Sequence, residues 1–108
     1  MTISPTTELI SLALDAAIMR QTAIANNIAN ANTQGYQTIE VNFEQQLAQL
    51  DDKTLMSATP FYQLSPNQTS IDQQMALNIK NATQFRVLLK GLNHQLAIMK
   101  LAVQGNQA

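Results

Sequence analysis

The residue types that most often carry chemistry are sparse in this 108-residue chain, and their spacing assembles no reaction centre. The single histidine, His94, stands between Asn93 and Gln95 in a helical pattern, with no acid or hydroxyl partner at helical spacing. It reads as a surface or interface residue. The acids are scattered, and the one adjacent pair, Asp51 and Asp52, lies in a stretch without regular patterning. Paired carboxylates must be held a defined distance apart to work on a bond, and no rigid element is expected there. Glycine occurs only at positions 35, 91 and 105, so no phosphate-cradling loop is present. Cysteine is absent, which excludes disulfides, thiolate metal sites and thiol nucleophiles. Met75 and Met99 fall on an apolar helical seam and read as core filler. No catalytic, cofactor-binding or metal-ligating residue is assigned, no small-molecule substrate is expected, and the chain is not expected to be an enzyme.

The remaining function classes are bounded by composition. Charged residues make up 12%, about half the usual share, and the net charge is -1. Neither a nucleic-acid footprint nor an acidic tail is present. Asn and Gln take the place of charge. They keep a surface hydrated without long-range repulsion, so like copies can approach one another closely. No apolar run approaches the roughly 20 residues needed to span a bilayer. The first eight residues lack a basic segment followed by an apolar one, so a cleaved secretory signal is not expected.

Three parts position what residues there are: 1–34, 35–69 and 70–108. In the first, Ile10, Leu14, Ala17, Ile24 and Ile28 recur at alternating spacings of four and three, with Ala31 closing the series and Gln21 its one polar member. Ile18 and Ala25 widen the stripe. This predicts an amphipathic helix over 7–32, capped by Thr6 or Thr7 after Pro5 and stopped near Gly35. In the second part Ile39, Val41 and Phe43 alternate with polar residues, predicting a short extended segment. A short helix over 43–50 with Asn42 as its cap follows, then a flexible linker over 51–69, with Phe61 and Tyr62 able to pin it to a surface. In the third part Ser70 and Gln73 form a capping-box signature. Behind it Ile71, Met75, Asn78, Ala82, Phe85, Leu89, Leu92, Leu96, Met99 and Val103 keep an unbroken four-three alternation. A helix over 71–104, ended by Gly105, is predicted. The fold class is therefore mainly α: two long terminal helices packed as an antiparallel, coiled-coil-like hairpin, with a short extended or irregular middle and a flexible linker. Such a hairpin is expected to be marginal alone. Its off-seam apolar residues Ile79, Leu88, Ile98 and Leu101 are expected to meet further chains.

One local pattern is out of keeping with a helix interior. Asn26, Asn27, Asn30 and Asn32 crowd one end of the first helix, and Asn is a poor helix former. Asn26 and Asn30 lie opposite Ile24 and Ile28. Two readings stand on physical grounds, a frayed and solvated helix end or a contact surface for a neighbouring chain.

Residues 25–33, followed by Gly35 and Tyr36, closely resemble the N-terminal signature of the bacterial flagellar axial proteins, the family of rod, hook and hook-associated proteins. Gln34 stands where that family usually has Pro. Val41, Asn42, Phe43, Glu44 and Leu47, together with residues 75–78, Asn81, Gln84, Phe85, Leu92, Asn93 and 98–100, resemble the short proximal rod members. The resemblance covers most of the chain except 51–65. It implies a structural subunit of the periplasmic rod of the basal body, assembled into a helical tube that transmits torque and surrounds the export channel. It further implies export by the flagellar type III apparatus without a cleaved signal. The implied partners are copies of the chain, other proximal rod proteins, and basal adaptor and export-gate components at the inner-membrane ring. Asn26, Asn27, Asn30, Asn32, Thr33, Gly35 and Tyr36 are then expected at subunit interfaces. Helix pairing is expected through Ile10, Leu14, Ala17, Ile24, Ile28, Met75, Ala82, Phe85, Leu89, Leu92, Leu96, Met99 and Val103. The alternatives are a cytoplasmic helical adaptor or chaperone and a sibling rod or inner-rod protein of a type III secretion system.

Overall fold

The computed structural model describes residues 4–106, so the expected outer bounds at 1 and 108 lie outside the described residues. Helix α1 (Pro5–Ala29) leads into strand β1 (Ile39–Asn42), helix α2 (Glu44–Gln49), a 3-10 turn (Leu55–Ser57), strand β2 (Phe61–Leu64) and helix α3 (Ile71–Asn106). The two long helices pack against each other as an antiparallel hairpin. The middle segment packs on a second face of α1.

Helix α1 starts two residues earlier than predicted. Ser4 is the cap, its Oγ accepting from the Thr7 amide at 3.1 Å, with Pro5 in the first helical turn where its missing N–H costs nothing. The helix ends at Ala29, earlier than expected, because Asn30 turns its amide onto the Asn26 carbonyl at 2.9 Å and closes the last turn with its own side chain. The chain then reverses. The Tyr36 amide donates to the Thr33 carbonyl at 3.2 Å across Gln34 and Gly35, and Gly35 has φ +80°. Glycine at the third position of such a turn supplies the left-handed conformation, and Gln34 occupies the position where proline is favoured. The turn forms without that proline.

Strand β1 follows the predicted alternation. Val41 and Phe43 are buried against Ala16, Ala23 and Ala58, with Leu9, Leu12, Ala13 and Met19 of α1 packed around them. Asn42 does not cap α2. Phe43 holds the cap position, and Asn42 instead donates to Gln63 of β2 at 3.2 Å. Part of the stretch expected as a flexible linker is strand: β2 pairs antiparallel with β1 in the register Ile39 to Leu64 and Asn42 to Phe61. Gln46 holds the intervening loop, donating to the Thr59 carbonyl at 2.7 Å and accepting from the Thr59 amide at 3.1 Å. Phe61 and Tyr62 stay about half exposed on β2.

Helix α3 opens on the predicted capping box, Ser70 amide to Gln73 Oε1 at 2.8 Å and Gln73 amide to Ser70 Oγ at 3.1 Å. It does not stop at Gly105. The helix runs on to Asn106, and Gly105 lacks the positive φ that a glycine stop uses. Among the described residues no helix is long and apolar enough to cross a membrane.

Candidate assembly interface

Two polar clasps fix how the elements meet. The first is centred on Asn27, 5% exposed. Its Oδ1 accepts from the Ile39 amide at 3.0 Å and the Tyr36 hydroxyl at 2.8 Å. Its Nδ2 donates to the Ile39 carbonyl at 2.8 Å and to Gln74 Oε1 at 3.1 Å. The amide thus serves the free edge of β1 as a neighbouring strand would, and carries the contact on to α3. Gln74, also buried, donates in turn to the Thr69 hydroxyl. Gln68 completes the cluster: it accepts from the amide and hydroxyl of buried Thr38 at 2.8 and 2.7 Å and donates to the Tyr36 carbonyl at 2.7 Å.

The second clasp lies two to three turns along the helices. Asn81, 3% exposed, donates to the Ala17 carbonyl at 2.9 Å. The small side chain at Ala17 lets α3 come that close. Arg20 Nη1 donates to Asn81 Oδ1 at 3.2 Å, and Arg20 Nη2 reaches both carboxylate oxygens of Glu44 at 2.9 and 2.8 Å. The Glu44 side chain is mostly exposed, so this pair orients α2 more than it stabilises it. A cleft of about 350 Å³ between β1 and α3 is bordered by both clasps.

These clasps set the rotation of α3. The residues it turns toward α1 are Gln74, Asn78, Asn81, Phe85, Leu88, Leu92, Gln95 and Met99, each buried or half-buried, with Val103 half-buried beyond them. Of the expected pairing seam, Phe85, Leu92, Met99 and Val103 lie on that face. Met75, Ala82, Leu89 and Leu96 do not: each sits one residue past a contact position and is exposed, Met75 by 54%, Leu89 by 42% and Leu96 by 48%. The physical reason is directionality. The amides of Gln74 and Asn81 must point at fixed acceptors on α1, whereas apolar contact has no preferred direction, so the amides decide. On α1, Ala17 and Ile24 are buried, and Ile10, Leu14 and Ile28 half-buried, on the side facing α3. The other face of α1 (Leu12, Ala16, Met19, Ala23) covers the middle segment, a second apolar stripe that the sequence pattern did not separate from the first.

The residues expected at subunit interfaces divide. Asn27 is a correction: it is buried inside its own chain with every amide valence used. Tyr36 is half-buried with its hydroxyl on Asn27, and Asn30 closes α1. Asn26, Asn32, Thr33 and Gly35 are exposed. A feature the pattern reading missed is the distribution of charge. Helix α3 carries Lys80, Arg86, Lys90 and Lys100 against Asp72 alone, a net +3. The residues before it carry six acids against Arg20 and Lys53, a net -4. That split was readable from the sequence.

The architecture is a helical hairpin with amide-clasped terminal helices and many exposed apolar side chains. The profile of the family described as flagella basal body rod protein matches residues 12–37, which run from the second turn of α1 through the Asn27 clasp and the Gly35 turn. The match spans 26 of the 108 residues, about a quarter of the chain. No curated protein matches the sequence.

Proposed function

We propose that this chain is a structural subunit of the proximal rod, of the FlgB type, which assembles into a helical tube around the export channel and transmits torque. The observation that carries the reading is the rod-family match over 12–37, a segment that here forms the clasp joining both long helices to the middle segment. The exposed apolar side chains support assembly: Ile18, Met75, Ile79, Val87, Leu96 and Leu101 are 48 to 70% exposed. A chain with few fully buried apolar residues folds fully when neighbours cover that surface. Export through the flagellar type III apparatus in a loosely folded state, without a cleaved signal, belongs to the same reading. So do the other proximal rod proteins, the basal adaptor and the export-gate components as neighbours. Deletion of the gene with imaging of basal bodies tests it. The expected result is an intact membrane ring with the whole rod missing. A normal rod rejects the proposal, and protein found only in the cytoplasm, well folded by itself, favours a helical adaptor.

A further inference from the structure

The edge of β1 that faces away from β2 is only partly served. The Ser65 amide donates to the Thr38 carbonyl at 2.8 Å, and in the register Glu40 to Gln63 this puts Thr38, Glu40 and Asn42 in the bonds to β2. The N–H groups of Ile39, Val41 and Phe43 therefore point to the other edge. Asn27 holds both the N–H and the C=O of Ile39, and Gln45 Oε1 accepts from the Phe43 amide at 3.3 Å. Between these two, the N–H and C=O of Val41 have no protein partner among the described residues. Val41 is 4% exposed, and buried main-chain groups without a partner are rare. Both groups open into the cleft of about 350 Å³ between β1 and α3.

We infer that this cleft takes a short extended segment of a partner protein, an acidic residue followed by a small one, which pairs antiparallel with β1 at Val41. In an antiparallel ladder one residue exchanges both bonds with the residue it faces, so a single residue opposite Val41 fills both groups, as the Asn27 amide does at Ile39. Asn27 and Gln45 occupy the edge on either side, which limits the segment to about three residues, roughly 10 Å. The side chain opposite Val41 turns the way Val41 does, onto the cleft floor at Ala23 and Ile24, and is therefore small. The residue before it lies opposite Asn42 and turns its side chain to the cleft mouth. Lys80 borders the cleft at that end: its neighbour Asn81 is tied through Arg20 to Glu44, two residues past Asn42. Lys80 is exposed and has no acid within ion-pair distance among the described residues. An acidic side chain complements it, whereas the third residue lies opposite Glu40 and is not acidic. The inference goes beyond the rod reading and does not depend on it.

Titration of the full chain, labelled with nitrogen-15, by acetyl-Glu-Ala-Ala-N-methylamide tests it. The expected result is a saturable shift of the Val41 amide resonance with slowed hydrogen exchange at that amide. Methylating the nitrogen of the first alanine removes the donor to the Val41 carbonyl and should weaken binding about tenfold. K80E, a change at an exposed position, should keep the helicity of the chain and weaken binding about fivefold. Acetyl-Lys-Ala-Ala-N-methylamide should then bind K80E more tightly than it binds the wild type. No saturable change at Val41 overturns the site, and so does equal binding of the methylated peptide. Indifference of both peptides to K80E overturns the acidic preference. Protection of the Val41 amide that grows with chain concentration in the absence of peptide places a second copy in the cleft and overturns the assignment to a different partner.

Discussion

Asn27 uses all of its hydrogen-bonding capacity inside the chain, and its replacement is costly for that reason. Asn27→Leu leaves the Ile39 amide and carbonyl and the Tyr36 hydroxyl without their partner in a buried setting, at about 1 to 3 kcal/mol for each unsatisfied group. The expected outcome is a loss of roughly 3 kcal/mol or more, read as a fall in the urea midpoint or as loss of the cooperative transition. Sequence pattern marked Asn27 as out of place in a helix but not as a hub. Its partners lie 9, 12 and 47 positions away, and spacing arguments reach only about one helical turn. The same limit hid Asn81, whose acceptor at Ala17 is 64 positions distant.

At the scale of elements, both long helices, the capping box of α3 and the extended run of β1 were legible because each writes its own periodicity. Strand β2 was not. Phe61, Tyr62 and Leu64 are 45 to 60% exposed, so no burial imposes an alternation on them, and only pairing with β1 makes them a strand. The rotation of α3 was only partly legible: Asn78, Phe85, Leu92 and Met99 of the heptad series face α1, whereas its alternate members Met75, Ala82, Leu89 and Leu96 lie one residue past the contact positions. Gly91 tests the packing of α3. A Cβ there meets Ile10 Cδ1 at 3.7 Å, an ordinary contact, while glycine inside a helix costs about 0.5 to 1 kcal/mol relative to alanine. Gly91→Ala is therefore expected to stabilise the fold by about that amount, seen as a higher melting temperature of the full chain.

Across the whole molecule, stability is unevenly placed. The directional ties between α1 and α3 lie at residues 74 and 81, in the first third of α3, and the middle segment braces α1 from Leu9 to Asn27. Beyond Phe85 the contact faces hold Leu88, Leu92 and Met99, which grip without direction. Amide hydrogen exchange should accordingly be slowest in α1 around 17–28, in β1 and in the first three turns of α3. It should be faster by orders of magnitude beyond residue 92. Uniform protection along α3 would contradict this division.

The helices are also unequal in length. At 1.5 Å per residue, α3 spans about 54 Å and α1 about 38 Å, and because Ile10 lies beside Gly91 the excess projects past the start of α1. In the tube proposed above, a layer of such chains would end as a comb, not as a flat rim, with one tooth per chain, and a twist would be carried on the flanks of teeth meshed with the next layer.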